Sequence, residues 1–141
     1  MEGKFVVFEG IDKSGKETQA KMLYDYLHNK GIPVIYTEEP NPKNAIGRLI
    51  KMWLVGKATV TSPESITLLY TADRYEHLKK VVNPALNVGK NVICDRYFYS
   101  TVAYESAIFG MDKEWIRTLN KNVRKPDVVI FIDIDPEISL K

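Results

Sequence analysis

A chain of 141 residues has room for one compact domain with a buried core, and its apolar and charged fractions, 45% and 27%, are those of an ordinary globular protein. Twenty basic against 18 acidic side chains leave a formal charge of +2, which excludes a nucleic-acid-binding or anionic-membrane footprint; a basic residue can matter only through local placement. Cys94 is the single cysteine, so no internal disulfide is possible and a reducing, cytoplasmic location is expected, while the apolar run from Phe5 to Phe8 is too short for a signal peptide and no run approaches membrane-spanning length.

In chain order, Lys4 to Phe8 is a short β-branched and aromatic run, the pattern of a strand buried on both faces. A glycine-bearing turn follows, then a helical pattern with Ala20, Leu23, Tyr24 and Leu27 on one face. Gly31 stands where a helix C-cap glycine belongs, and Pro33 to Tyr36 reads as a second strand whose leading proline suits a first strand position. A Pro- and Asn-rich loop, Glu38 to Asn44, precedes a helix over Ala45 to Leu54. Ser62-Pro63 and Asn83-Pro84 are helix starts, and Gly89 closes the second of these helices. Asn91 to Cys94 is a third strand and Val128 to Ile132 a fourth, with helices over Ser100 to Phe109 and Lys113 to Lys121 between them, the latter capped by Asp112. Apolar strands alternating with helices predict an α/β fold, a parallel sheet with helices on both faces in three layers, formed by residues 1–141 as a single domain. Ligands of such sheets gather at the carboxyl ends of strands, which here means Glu9 to Thr18, Thr37 to Pro40 and Asp95 to Thr101.

The first of these segments carries a phosphate-binding pattern. Gly10-Ile11-Asp12-Lys13-Ser14-Gly15-Lys16 fills seven positions of G-x-x-x-x-G-K-[ST], between a buried strand and an amphipathic helix. The glycines let backbone N–H groups turn toward a phosphate, Lys16 neutralises the β- and γ-phosphates, and the helix N-terminus adds its dipole. The last position should be a Ser or Thr whose hydroxyl holds Mg²⁺, and here it is Glu17. A carboxylate can ligate Mg²⁺ but brings negative charge beside the polyphosphate. Thr18, one residue on, is rotated about 100° around the helix and is a poor substitute.

The remaining motifs come in a fixed order. Phe8-Glu9-Gly10-Ile11-Asp12 enters the loop, Glu39-Pro40 follows the second strand, and Leu68-Leu69-Tyr70-Thr71-Ala72-Asp73-Arg74 lies in the middle helix. Asp95-Arg96-Tyr97 ends the third strand and continues as Ser100-Thr101-Val102-Ala103-Tyr104. Lys125-Pro126-Asp127 opens the fourth strand, which ends in Asp133-Ile134-Asp135-Pro136. The ordered set resembles the thymidylate kinase family along essentially the whole chain, whereas a Ras-type GTPase is disfavoured because Asn120-Lys121-Asn122-Val123 lacks the aspartate of the guanine-reading motif.

What this resemblance implies is transfer of the ATP γ-phosphoryl group to dTMP, with Mg²⁺ and a homodimer, and with neither nucleic acid nor membrane as partner. Gly10 to Thr18 would bind ATP, with Lys13 standing where one subgroup carries a loop arginine that stabilises the transferring group. Arg96 would bind the dTMP phosphate, and a guanidinium fork suits that task. Asp95 falls at the position that holds a Mg²⁺-bound water. Asp12 would contact the deoxyribose 3′-hydroxyl near the metal, which makes Asp12, Glu17 and Asp95 the candidate metal residues. Glu39 and Pro40 belong to the dTMP loop. Tyr70 stands for a phenylalanine stacked on thymine, Arg74 for the arginine that hydrogen-bonds the base, and Tyr104 for the aromatic residue beside the 2′ position, with Ser100 and Thr101 lining the same pocket.

Plainer readings stay open from the residues alone. Tyr70 and Tyr104 could be core, Arg74 a solvated residue paired with Asp73 or Glu76, Asp95 a helix cap, and Lys13 an ordinary loop lysine. His28 and His77 read as surface residues. No clear match exists for the family's second phosphate arginine, whose neighbourhood holds Pro42 or Lys43, with Arg48 a turn further on. The family's basic lid, a further strand and helices would lie beyond Lys141, and 138 to 141 read as a helix cut mid-turn, so a C-terminally truncated kinase is expected. The alternatives are another nucleoside monophosphate kinase or a catalytically weakened nucleotide-binding relative.

Overall fold

A computed structural model describes residues 1–141. Its elements in chain order are β1 (Phe5–Glu9), α1 (Lys16–Asn29), β2 (Val34–Glu38), α2 (Ala45–Leu54), α3 (Pro63–His77), a π-helical stretch over Leu78–Val82, α4 (Asn83–Asn87), β3 (Asn91–Asp95), α5 (Phe98–Phe109), α6 (Lys113–Leu119), β4 (Val128–Phe131) and α7 (Pro136–Ser139). No helix is long and apolar enough to cross a membrane. The chain forms two compact units, one made of Met1–Glu38, Val81–Tyr97 and Lys125–Lys141, the other of Glu39–Lys80 and Phe98–Arg124.

The first unit holds a four-stranded, all-parallel sheet in the order β2-β3-β1-β4. Its register sets Val6, Ile93 and Tyr36 side by side, and Phe8 beside Asp95 and Ile130. On this face the apolar side chains Phe8, Ile93, Val34, Tyr36 and Ile130 pack against Ala20, Leu23, Tyr24 and Leu27 of α1, the helical stripe that the sequence displays. Phe5 meets Tyr97 edge to face, with ring centroids 5.2 Å apart. Strands β1, β2 and β3 each run on to an acidic residue, Glu9, Glu38 and Asp95, beyond the apolar run that marks them in the sequence. The ladder carries them there, because Glu38 and Asp95 remain in register. β4 pairs with β1 alone. It is the edge of the sheet, and Val128, Val129 and Phe131 are exposed.

In the second unit α2 spans the residues read from the sequence, capped by the Asn44 side chain, which accepts from Gly47 N at 2.8 Å. A side chain at Gly47 has no room, since its Cβ would fall 1.8 Å from the Asn41 carbonyl oxygen. Ser62 caps α3 ahead of Pro63, and Asp112 caps α6, as expected. α5 begins at Phe98, two residues before the predicted start.

Asp127, the last residue of the Lys-Pro-Asp motif, fixes where β4 joins β1. Its carboxylate accepts from Phe5 N at 2.8 Å, and its own N–H donates to the Phe5 carbonyl at 2.8 Å. Asp127→Ala removes a charged acceptor from a part-buried N–H and is expected to cost about 1.5–3 kcal/mol in urea denaturation. Asp127→Asn, which keeps an acceptor, should recover most of it. An alanine variant as stable as the parent contradicts this role.

Candidate active site

The loop after β1 has the features of an anion cradle. Gly15 sits at the N-cap of α1 with φ +88°, a left-handed conformation suited to glycine, and no side chain caps the helix. The first-turn N–H groups of α1 therefore face the loop without a side-chain acceptor. Lys16 is buried, with Nζ 3.3 Å from Asp95 Oδ1. Register explains the pairing: Asp95 is the β3 partner of Phe8, two residues before the loop begins. Two buried oxygens here accept or make no hydrogen bond, Asp95 Oδ1, which has only the ion pair, and Ser14 Oγ. Buried polar atoms of this kind are rare in proteins and cost free energy unless a ligand or ion completes them.

Arg96 is held from several sides. Its backbone is left-handed, φ +72°, an uncommon state for a residue with a side chain. Arg96 N donates to the Phe8 carbonyl at 2.9 Å, and the next N–H, of Tyr97, donates to Glu9 Oε1 at 2.6 Å. The guanidinium donates to the Gly10 carbonyl at 3.3 Å and forms a short ion pair with Asp12. Thus Asp12 and Arg96, two of the sequence-predicted residues, are in contact. Glu9 opens the first segment where the sequence places ligands but received no role there, and an acidic residue ending an apolar strand was the available signal. Lys13 is exposed with φ +60°, Ile11 is half-buried, and Thr18 is exposed on α1.

The carboxylates proposed for Mg²⁺ divide. Asp95 is buried with an incompletely paired oxygen, a donor that suits a hard cation. Glu17 is different: its side chain is 61% exposed, and its Oε1 lies 2.6 Å from Nζ of Lys21, one helical turn on. The residues fit Mg²⁺ at Asp95, while Glu17 is engaged by a cation of its own helix.

In the second unit Glu39 is the hub. It precedes Pro40 through a cis peptide bond, and both residues are buried. Its Oε1 accepts from Arg74 Nε at 2.7 Å and its Oε2 meets His77 Nδ1 at 2.9 Å. Burial pushes the Glu39 carboxyl up, but Arg74 and His77 outweigh it and hold the group below its ordinary value. Arg74 also donates to Asn120 Oδ1 at 2.7 Å and Thr101 Oγ1 at 3.0 Å, tying α3 to α5 and to the end of α6. Two sequence readings are corrected here. Arg74 is 1% exposed, so it is not a solvated residue paired with Asp73 or Glu76, and His77 is fully buried rather than on the surface. His77 lies three residues after Arg74 on the same helix face, but its partner is 38 residues away in sequence and cannot be read from spacing. His28 is exposed, as read.

Asp73 anchors the Glu-Pro loop instead, accepting from Asn41 N at 3.0 Å and Asn44 Nδ2 at 2.7 Å. Burial raises its carboxyl above the ordinary range despite those two donors. Burial likewise raises Glu105, which accepts from Thr67 Oγ1 at 3.1 Å. Tyr70, Ser100 and Tyr104 are half-buried.

Arg74→Ala leaves the Glu39 charge buried with one partner fewer and is expected to cost about 3–5 kcal/mol of stability. Glu39→Gln combined with Arg74→Met should recover more than half of that loss. Urea denaturation of the three proteins measures it, and an Arg74→Ala protein within about 1 kcal/mol of the parent contradicts the network.

Comparison with known proteins identifies the family. The family model described as thymidylate kinase matches residues 8–141. A probable thymidylate kinase of Pyrococcus horikoshii is 43% identical over 145 residues, an alignment covering 100% of this chain and 70% of that protein. The thymidylate kinase of Plasmodium falciparum is 40% identical over 137 residues, covering 97% of this chain and 64% of that protein. The crystal structure of thymidylate kinase from Ehrlichia chaffeensis superposes with a TM-score of 0.84 at 36% identity, covering 99% of this chain and 76% of that one. With a phosphate loop built on a parallel sheet and a family match reaching from Phe8 to the last residue, the chain belongs to the thymidylate kinase family of P-loop nucleoside monophosphate kinases.

Proposed function

We propose that residues 1–141 act as one kinase domain that transfers the γ-phosphoryl group of ATP to dTMP, giving dTDP and ADP, with Lys16 and Arg96 as the cations that manage the reacting phosphates. The observation that carries this reading is the buried Lys16–Asp95 pair beside an uncapped helix start and an unpaired Ser14 hydroxyl. A lysine is costly to bury, and a polyphosphate is the ligand that repays it.

In the first unit Gly10 to Thr18 wrap the ATP phosphates, and Lys13 lies at the loop's exposed rim. Arg96 takes the dTMP phosphate, and Asp12, already in contact with Arg96, takes the 3′-hydroxyl. Exchange of Asp12 for the substrate phosphate keeps Arg96 paired throughout. By the family's pattern Tyr70, Arg74, Ser100, Thr101 and Tyr104 serve the base and sugar, and Glu39 and Pro40 belong to the dTMP loop. Arg74 is suited to reading a base edge because three acceptors have already set its plane. The acceptor oxygen of a monophosphate is anionic, so no strong general base is needed, and catalysis rests on alignment and charge neutralisation. Mg²⁺ would neutralise phosphate charge, and Asp95 is the residue placed to hold it, directly or through water. A homodimer and a cytoplasmic location complete the proposal.

Glu17 supports a second reading, a nucleotide-binding relative with weakened catalysis, because it replaces the hydroxyl ligand of the loop. ATP binding without dTMP-dependent turnover would favour it.

The test is Lys16. Lys16→Ala should lower dTMP-dependent ADP formation by about 100-fold or more while circular dichroism still reports the folded state. Lys16→Arg, which keeps a counter-charge for Asp95, should also lose activity because it cannot place a compact ammonium on the phosphates. Turnover within a few-fold of the parent in both variants overturns the assignment.

A further inference from the structure

Glu17 presents a physical problem that the family reaction does not resolve. It occupies the first turn of α1, next in sequence to Lys16, where a polyphosphate must approach. An anion is favoured at a helix start by the dipole, but the same place must receive a ligand of several negative charges. An uncompensated carboxylate would oppose that ligand.

The structure supplies the compensation. Lys21 lies four residues on, and its ammonium meets Glu17 Oε1 at 2.6 Å. The stem of Lys21 is steered from a second side, because Nζ also lies 5.7 Å from the centroid of the Tyr36 ring on β2. Glu38 and Asp95, at the ends of β2 and β3, add to the negative field at the Lys21 ammonium. Lys21 is thus a cation that meets Glu17 at the start of the helix, while Lys16 pairs with Asp95.

We propose that Lys21 is a positioning residue for nucleotide binding: it holds the Glu17 carboxylate on the flank of α1 and cancels its charge, so that the phosphate loop keeps its affinity for a polyphosphate. The role is tied to the loop's departure from a hydroxyl residue at position 17. It acts through Glu17 rather than by touching the ligand. It rests on the reading of the loop as an ATP site.

A double-mutant cycle read by titration calorimetry with ATP in excess EDTA tests it, since chelation removes any contribution of Glu17 as a metal ligand. Both side chains are more than half exposed, so the variants should fold, and circular dichroism checks that they do. Lys21→Met should weaken ATP binding by about three- to tenfold in the parent background, as expected for one uncompensated, partly screened charge near the phosphates. In the Glu17→Gln background the same substitution should change binding less than twofold, and Lys21→Arg should bind like the parent. An equal loss in both backgrounds would show that Lys21 meets the phosphates itself and overturns the proposal. No loss in either background overturns it as well. A folded parent protein that does not bind ATP overturns the phosphate-loop reading and this proposal with it, whereas a parent that binds without coupling between positions 17 and 21 overturns this proposal alone.

Discussion

A buried lysine needs a counter-charge, and the first unit is organised around meeting that need for Lys16. The position of its partner follows from the sheet. β3 must run one residue past its apolar stretch for Asp95 to stand beside Phe8, and parallel pairing with β1 and β2 carries it there. Glu9, the corresponding acidic end of β1, turns toward the other strand connection and holds the N–H of Tyr97. Between these two carboxylates Arg96 is fixed in a left-handed backbone conformation. Lys16 and Arg96 therefore owe their placement to strand ends that are acidic rather than apolar.

The second unit repeats the principle with the signs exchanged. There a carboxylate, Glu39, is buried, and Arg74 and His77 supply the compensation. Once Arg74 is drawn in to serve Glu39, its other donors reach Asn120 and Thr101, so one arginine sets the geometry of three helices. Asp73, its neighbour, ties down the loop that carries Glu39. Local helix chemistry places 73, 74 and 77, and long-range charge pairing decides what each does.

These two clusters mark how far the sequence could be read. The four strands, the Ser62 and Asp112 caps, the phosphate loop and the order of motifs were legible because each rests on local spacing or on an apolar period. The strand ends were legible only in part: the motif placed Asp95 at the end of the third strand, whereas Glu9 and Glu38 break the apolar pattern and the ladder reveals them as strand. His77 was misplaced at the surface for a similar reason. A lone histidine on a helix looks solvated until the glutamate that buries it, distant in sequence, is seen. Glu17 was legible as a departure, but its pairing with Lys21 required the side-chain geometry.

The central claim is that this arrangement of paired charges transfers a phosphoryl group to a thymidine monophosphate. The most direct measurement is ADP formation from Mg·ATP with dTMP, UMP, CMP and AMP supplied one at a time. ADP release that depends on an acceptor, with dTMP preferred and dTDP formed in equal amount, is the predicted result. ADP release indifferent to the acceptor, or a clear preference for a different monophosphate, contradicts it.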